Sequence, residues 1–185
     1  SDSILEGNYA PTGGGLYNTG ASSLNRVIVR NNRAGSGGGI ASGGRGPLTI
    51  ENSAISGNDA ETGNGGGIYN ESALTMTNVS IIGNDAKVHG GGLHTYAISG
   101  DAVVLNNVTV SGNIAGEAGG GIRNERASYL LPLPQVNNSI VAGNTAAVGN
   151  DCSAKFVFTY SLVQDTDGCT GATDPTNLFQ VDPNL

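Results

Sequence analysis

The sequence predicts an all-β fold, a right-handed parallel β-helix of about six coils with three short strands in each. Two observations carry this. A Gly-Gly-Gly triplet begins at Gly13, Gly37, Gly65, Gly90 and Gly119, and a period in the twenties marks a solenoid. Between triplets the apolar residues alternate with polar ones, the period of a strand with one buried face.

The unit is clearest from Gly65 to Ala86, GGGIYNESALTMTNVSIIGNDA. It holds three alternating segments: Gly-Ile-Tyr, Leu-Thr-Met-Thr and Val-Ser-Ile-Ile. Read down the copies, the triplet strand contributes Leu16, Ile40, Ile68, Leu93 and Ile122. The middle strand contributes Leu24, Ile50, Met76 and Leu105, and the third Leu5, Val29, Ile55, Ile81, Val110 and Val141. One coil per copy makes these three inward aliphatic stacks, with strands pairing from coil to coil. Right-handed winding is the default for parallel connections.

The corners follow next. A Gly-Asn-x-Ala element places Asn8, Asn32, Asn58, Asn84, Asn113 and Asn144 in one column, with Asn31 replacing Gly in the second copy. Ala10, Ala34, Ala60, Ala86, Ala115 and Ala146 follow two residues later, where a larger side chain would not fit. A second column reads Asp2, Arg26, Asn52, Asn78, Asn107 and Asn138. Gly and Asn tolerate the left-handed turns that corners need, and stacked Asn amides bond one another. The Gly triplets open no helix, so a phosphate-loop role has no support.

Composition agrees. The chain has 185 residues, 31 Gly, 21 Asn, no Trp and only 12% charged residues. A net charge of −7 argues against nucleic acid and anionic membranes as partners. No apolar run reaches membrane-spanning length, so no membrane insertion is expected of this segment. The first residues, Ser-Asp-Ser-Ile-Leu, are already in register with a third strand. This reads as a mature or trimmed piece with its N-terminal coil uncapped, and head-to-tail self-association into filaments is the expected consequence.

Residues 1–149 read as the β-helix repeats and 150–185 as a C-terminal coil or capping segment. The second coil carries Arg26, Arg30, Arg33 and Arg45. Insertions at 95–102 and 125–135 both follow the triplet strand and should emerge on one edge, where repeat proteins place binding surface. Tyr129, Leu130, Leu131 and Leu133 in the second are expected to fold down over the core rather than form an exposed patch. After residue 149 the pattern changes, and Cys152 and Cys169, the only cysteines, flank the new stretch. A zinc site would need His, and His89 and His94 lie in the repeats. A disulfide closing the last segment is expected, and with it an oxidising compartment.

GGGIYN followed by LTMTNVSIIGNDA resembles the β-helix repeats of bacterial secreted and cell-surface proteins. It is similar to the polymorphic outer-membrane protein repeats of autotransporter passengers. The tail, from NSIVAGNTA through DCS, SLVQDTDGCT and VDPNL, looks like the end of such regions in large surface proteins. The resemblance covers about the whole chain. It implies an extracellular or cell-surface location and a structural or adhesive module, contacting polysaccharide or a host or neighbouring cell.

Many β-helices act on polysaccharides, so candidate sites were sought in the outward columns. A lyase needs an Arg or Lys base and usually clustered acids, a hydrolase paired carboxylates. Asp59 and Asp85 should sit on adjacent coils beside Arg33 and Lys87, either as a calcium or acid pair or as a solvated ion-paired ladder. Tyr69, His94 and Arg123 should line up on consecutive coils, with Glu71 and Glu125 just after; they offer a sugar-binding face or an incidental exposed row. No nucleophile signature is present, and no catalytic centre or cofactor beyond calcium is expected. The sequons at Asn70, Asn78, Asn107 and Asn137 carry little weight, because Asn70, Asn78 and Asn107 occupy corners expected to be buried. The function expected is therefore non-catalytic, with a carbohydrate-binding or polysaccharide-degrading β-helix as the alternative.

Overall fold

A computed structural model describes residues 1–44, 46–97, 101–126, 128–171 and 174–184. Arg45, part of the 95–102 insertion and Ala127 lie outside the described residues. The chain winds as a parallel β-solenoid of about six turns with three sheets, of eleven, seven and five strands among the described residues.

Leu74–Ile82 pairs in parallel with Leu48–Ser56 on one side and Val103–Ser111 on the other. Each of these nine-residue strands merges the expected middle and third strands. They bend instead of breaking because Asn52, Asn78 and Asn107 adopt φ of 48°, 55° and 53°, a conformation Asn tolerates. The third sheet is one the sequence pattern hid. It is built from the Asn-x-Ala elements themselves, as Asp59–Ala60, Asp85–Ala86 and Ile114–Ala115. The seven-stranded sheet carries the triplet strands, among them Ile40–Ser42, Ile68–Asn70, Leu93–Ala97 and Ile122–Arg126.

The three aliphatic stacks are the core. Ile40, Ile68, Leu93 and Ile122 are buried, as are Ile50, Met76 and Leu105, and Val29, Ile55, Ile81, Val110 and Val141. The Ala column is equally closed at Ala34, Ala60, Ala86 and Ala115. The triplet threads a gap of backbone and amide. At Gly65 φ is +68°, a Cβ on Gly66 would overlap the Asp85 carbonyl, and one on Gly67 would meet the Asn84 amide carbon at 3.2 Å.

Inside the corner runs a continuous amide ladder. The Nδ2 groups of Asn8, Asn32, Asn58, Asn84 and Asn113 each donate to Oδ1 of the next Asn at 2.9–3.0 Å. The same Oδ1 also accepts the backbone N–H of the preceding Asn. From Asn32 onward, Nδ2 places its second hydrogen on a strand carbonyl of the preceding coil, for Asn84 that of Ile55. The ladder ends on Asp151, whose Oδ1 accepts both donors of Asn144 and whose Oδ2 accepts Asp165 N–H at 2.7 Å. Burial pushes the Asp151 carboxyl up, and the bonds from Asn144 and Asp165 pull it back.

The second Asn column corrects an expectation. Asn70 is buried, but Asn78 and Asn107 are exposed. Their left-handed backbone turns the side chains outward, where Asn78 donates to Asn52 and Asn107 to Asn78. The 125–135 insertion corrects another. Tyr129 and Leu130 are more than nine-tenths exposed, while Leu131 and Leu133 are only half-buried. A turn closed by Leu131 N–H to Ser128 O, with Arg126 Nη1 donating to Leu131 O at 2.7 Å, holds the tip away from the core.

After residue 149 the same stacks continue. Gly149-Asn150-Asp151 stands where a triplet would, accepting backbone bonds from Gly120, Gly121 and Ile122. Cys152 lies beside Ile122, Phe158 beside Val136, and Val163 beside Val141. The Cys152–Cys169 disulfide ties this coil to the following strand, with Cα atoms 5.3 Å apart, and points to an oxidising environment. Reduction should lower stability by about 3 kcal/mol in the chain-entropy model. Urea unfolding followed by circular dichroism, with and without a reductant, measures this; coincident midpoints would contradict it.

Candidate functional site

The first pair singled out from sequence does meet. Asp59 and Asp85 are register partners on adjacent coils. Arg33 Nε, however, lies 3.2 Å from Asp59 and 3.1 Å from Glu61. Burial, then the Asp59 charge, raises the Asp85 carboxyl, while Lys87 lowers it. Calcium takes six to eight oxygens. Among the described residues no group of three or more His, Cys, Asp or Glu is placed to hold a metal. The Asp59 carboxylate is engaged by the Arg33 guanidinium.

The second set forms a continuous row on the outer face of the seven-stranded sheet. Tyr69 pairs in register with His94, and His94 with Arg123. Tyr69 stacks on His94 with ring centroids 5.5 Å apart. His89, just before the triplet that leads into this strand, also stacks on His94, with ring centroids 6.1 Å apart. His94 is thereby 1% exposed, which corrects the expectation of an exposed histidine. A side chain on the outer face of a sheet is covered when a ring on the adjacent coil and a ring of its own coil both stack on it. Burial first, then the charges of His89 and Arg123, lower its pKa to about 3. At neutral pH the imidazole is thus uncharged, and the Glu125 carboxylate 3.7 Å from Nε2 makes no ion pair with it.

Polar groups frame the row. The Tyr69 hydroxyl donates to Glu71 Oε1 at 2.6 Å, and burial together with that carboxylate raises the phenol's pKa. Arg123 Nη1 donates to Ser153 Oγ at 2.7 Å, and its Nε is buried without a partner, as are Nδ1 of His89 and of His94. Toward the N-terminal coils, Tyr17 pairs in register with Ala41 and is 58% exposed. Its hydroxyl reaches diagonally over the next coil: a Cβ on Gly43 would lie 3.7 Å from Tyr17 Oη and 3.6 Å from Glu71 Oε2. Ala41 and Gly43 are buried beneath it, so small residues on one coil let the tyrosine of the neighbouring coil lie over them.

At the other end of the sheet an open cleft of about 320 Å³ is lined by Glu125, Arg126, Tyr129, Lys155 and Thr170, among others. Sequence reasoning placed Glu71 only beside a column. It missed the convergence on Gly43, for which the small residues at Ala41 and Gly43 were the available signal. It also missed His89 and the cleft. Those depend on side-chain approaches that follow no column, within one coil for His89 and between residues tens of positions apart for the cleft. Compared with known proteins, the chain matches no family model, no curated protein and no solved structure.

Proposed function

We propose that this chain is a non-catalytic adhesive module of a bacterial surface protein or extracellular assembly, and that the outer face of the seven-stranded sheet holds polysaccharide. The observation that carries the reading is the row of aromatic side chains with carboxylates at its edge. The Tyr17 hydroxyl and the Glu71 carboxylate meet over Gly43, and the Tyr69 hydroxyl donates to that carboxylate. A sugar ring has one face of C–H groups and a rim of hydroxyls. The first suits an aromatic surface, and the second suits carboxylate acceptors at its edge. Parallel strands hold both at a fixed spacing, and solenoids use such extended faces for binding.

The glycan face is treated as binding only, because the Glu71 carboxylate is already engaged by the Tyr69 hydroxyl. The disulfide suits the oxidising exterior of the cell, and similarity to autotransporter passenger repeats belongs to the same reading. The test is binding to an immobilised panel of neutral and acidic polysaccharides. At least one should be retained, with affinity falling about tenfold in Tyr17→Ala, the size expected for a lost aromatic contact. Failure to bind any glycan, or release of new reducing ends during incubation, would overturn the proposal.

A further inference from the structure

We infer that the cleft beside the 128–134 loop is a subsite for an acidic sugar residue, whose carboxylate lies between Arg126 and Lys155 and whose ring lies against Tyr129. This rests on the polysaccharide-binding reading and names the class of glycan. The chain carries fifteen acidic and eight basic residues, so its cations should be readily paired. At the N-terminal coils they are: Arg26 with Asp2, Arg30 with Glu6, and Arg33 with Asp59 and Glu61. In the cleft they are not. Among the described residues no carboxylate pairs with Arg126 or Lys155. Glu125, the acid at the rim, has its carboxylate 3.7 Å from His94.

The cleft is also shaped. Arg126 gives Nη1 to Leu131 O, and among the described residues its other donors make no hydrogen bond, which suits a carboxylate fork. Lys155 also lines the cleft, next to Ala154, a non-glycine residue at φ 81° whose N–H donates to Gly168 O at 2.8 Å. Left-handed backbone is strained for a residue with a Cβ, so the turn at Ala154 is held by its surroundings. Tyr129, 93% exposed at the tip of a hydrogen-bonded turn, gives the cleft an aromatic side without protein packing of its own. Thr170 supplies a hydroxyl to the lining. The volume of about 320 Å³ is at the small end for a ligand pocket and suits one sugar ring.

The probes are oligogalacturonate, its fully methyl-esterified form and a sulfated dextran, each titrated calorimetrically into the intact protein at low and physiological salt. The acidic oligosaccharide should bind at least tenfold tighter than the ester, the usual size of a charge-assisted hydrogen bond. Lys155→Gln, on an exposed side chain, should erase most of that preference, whereas Tyr129→Ala should weaken binding of the acid and of the ester alike. Equal binding of acid and ester, or a preference that survives Lys155→Gln, would overturn the subsite and leave the wider glycan face standing. Stronger binding of the sulfated polymer at physiological salt would overturn the carboxylate assignment. If no probe binds, the subsite falls, and the polysaccharide panel decides the wider glycan face separately.

Discussion

Asn84→Ala should cost the fold roughly 3 to 5 kcal/mol, because it strands two buried donors. Asn84 is 1% exposed in the middle of the ladder. Its Oδ1 accepts the backbone N–H of Asn58 at 3.0 Å and the Nδ2 of Asn58 at 2.9 Å. Both would face an apolar methyl. The Ile55 carbonyl and one lone pair of Asn113 Oδ1 would lose a donor as well. Water cannot readily compensate, since the site lies between the triplet glycines and the Ile55–Ile81 stack. Asn78→Gly provides the contrast. Asn78 is exposed, its amide bonds only other exposed Asn side chains, and glycine accepts its φ of 55°. That change should stay within about 1 kcal/mol. Urea titrations at neutral pH compare the two. A loss below about 1 kcal/mol for Asn84→Ala would show that the ladder holds register without contributing much stability.

The difference between these two asparagine columns was illegible in the sequence, where both repeat with the same period. It depends on the residue that takes the left-handed turn. In Gly-Asn-x-Ala, Gly57, Gly83 and Gly112 take positive φ, and Asn31 does so where Gly is missing. The Asn that follows is then free to point inward. In the other column Asn52, Asn78 and Asn107 take the turn themselves and point outward. The aliphatic stacks were legible for the opposite reason. A slip of one residue would expose Ile50, Met76 and Leu105 together, so alternation alone determines which side is buried.

The candidate site divides the same way. Coil-to-coil neighbours such as Tyr69, His94 and Arg123 follow from the repeat. The cleft does not, because Arg126, Lys155 and Thr170 meet through a loop and two short strands outside any column. His94 was placed correctly in register but not in depth. Its burial comes from Tyr69 together with His89, which belongs to a different part of the coil and approaches it by side-chain stacking.

That burial makes acid stability depend on one residue. Unfolded, His94 titrates near 6.5; folded, its pKa is lowered to about 3 by burial, His89 and Arg123. A histidine with a depressed folded pKa binds more protons when unfolded, so stability rises with pH across the interval between the two values. The contribution is present above the unfolded pKa and is lost as pH falls toward 3. The full shift sets a ceiling of roughly 5 kcal/mol. Tyr69 and Glu125 also face the ring, and Glu125 is positioned to hold an imidazolium once one forms, which reduces the loss. Asp85 and Asp151 act in the opposite sense, because their raised carboxyls favour the folded state on protonation. The wild-type curve sums these effects; the difference between wild type and His94→Gln isolates the histidine. Urea midpoints at steps between pH 7.5 and 3.5 should show the wild type losing its advantage over His94→Gln progressively below about pH 6.5. Curves that stay parallel across that range would mean that the imidazole reaches solvent, and that the stack of Tyr69, His94 and His89 opens at no measurable cost.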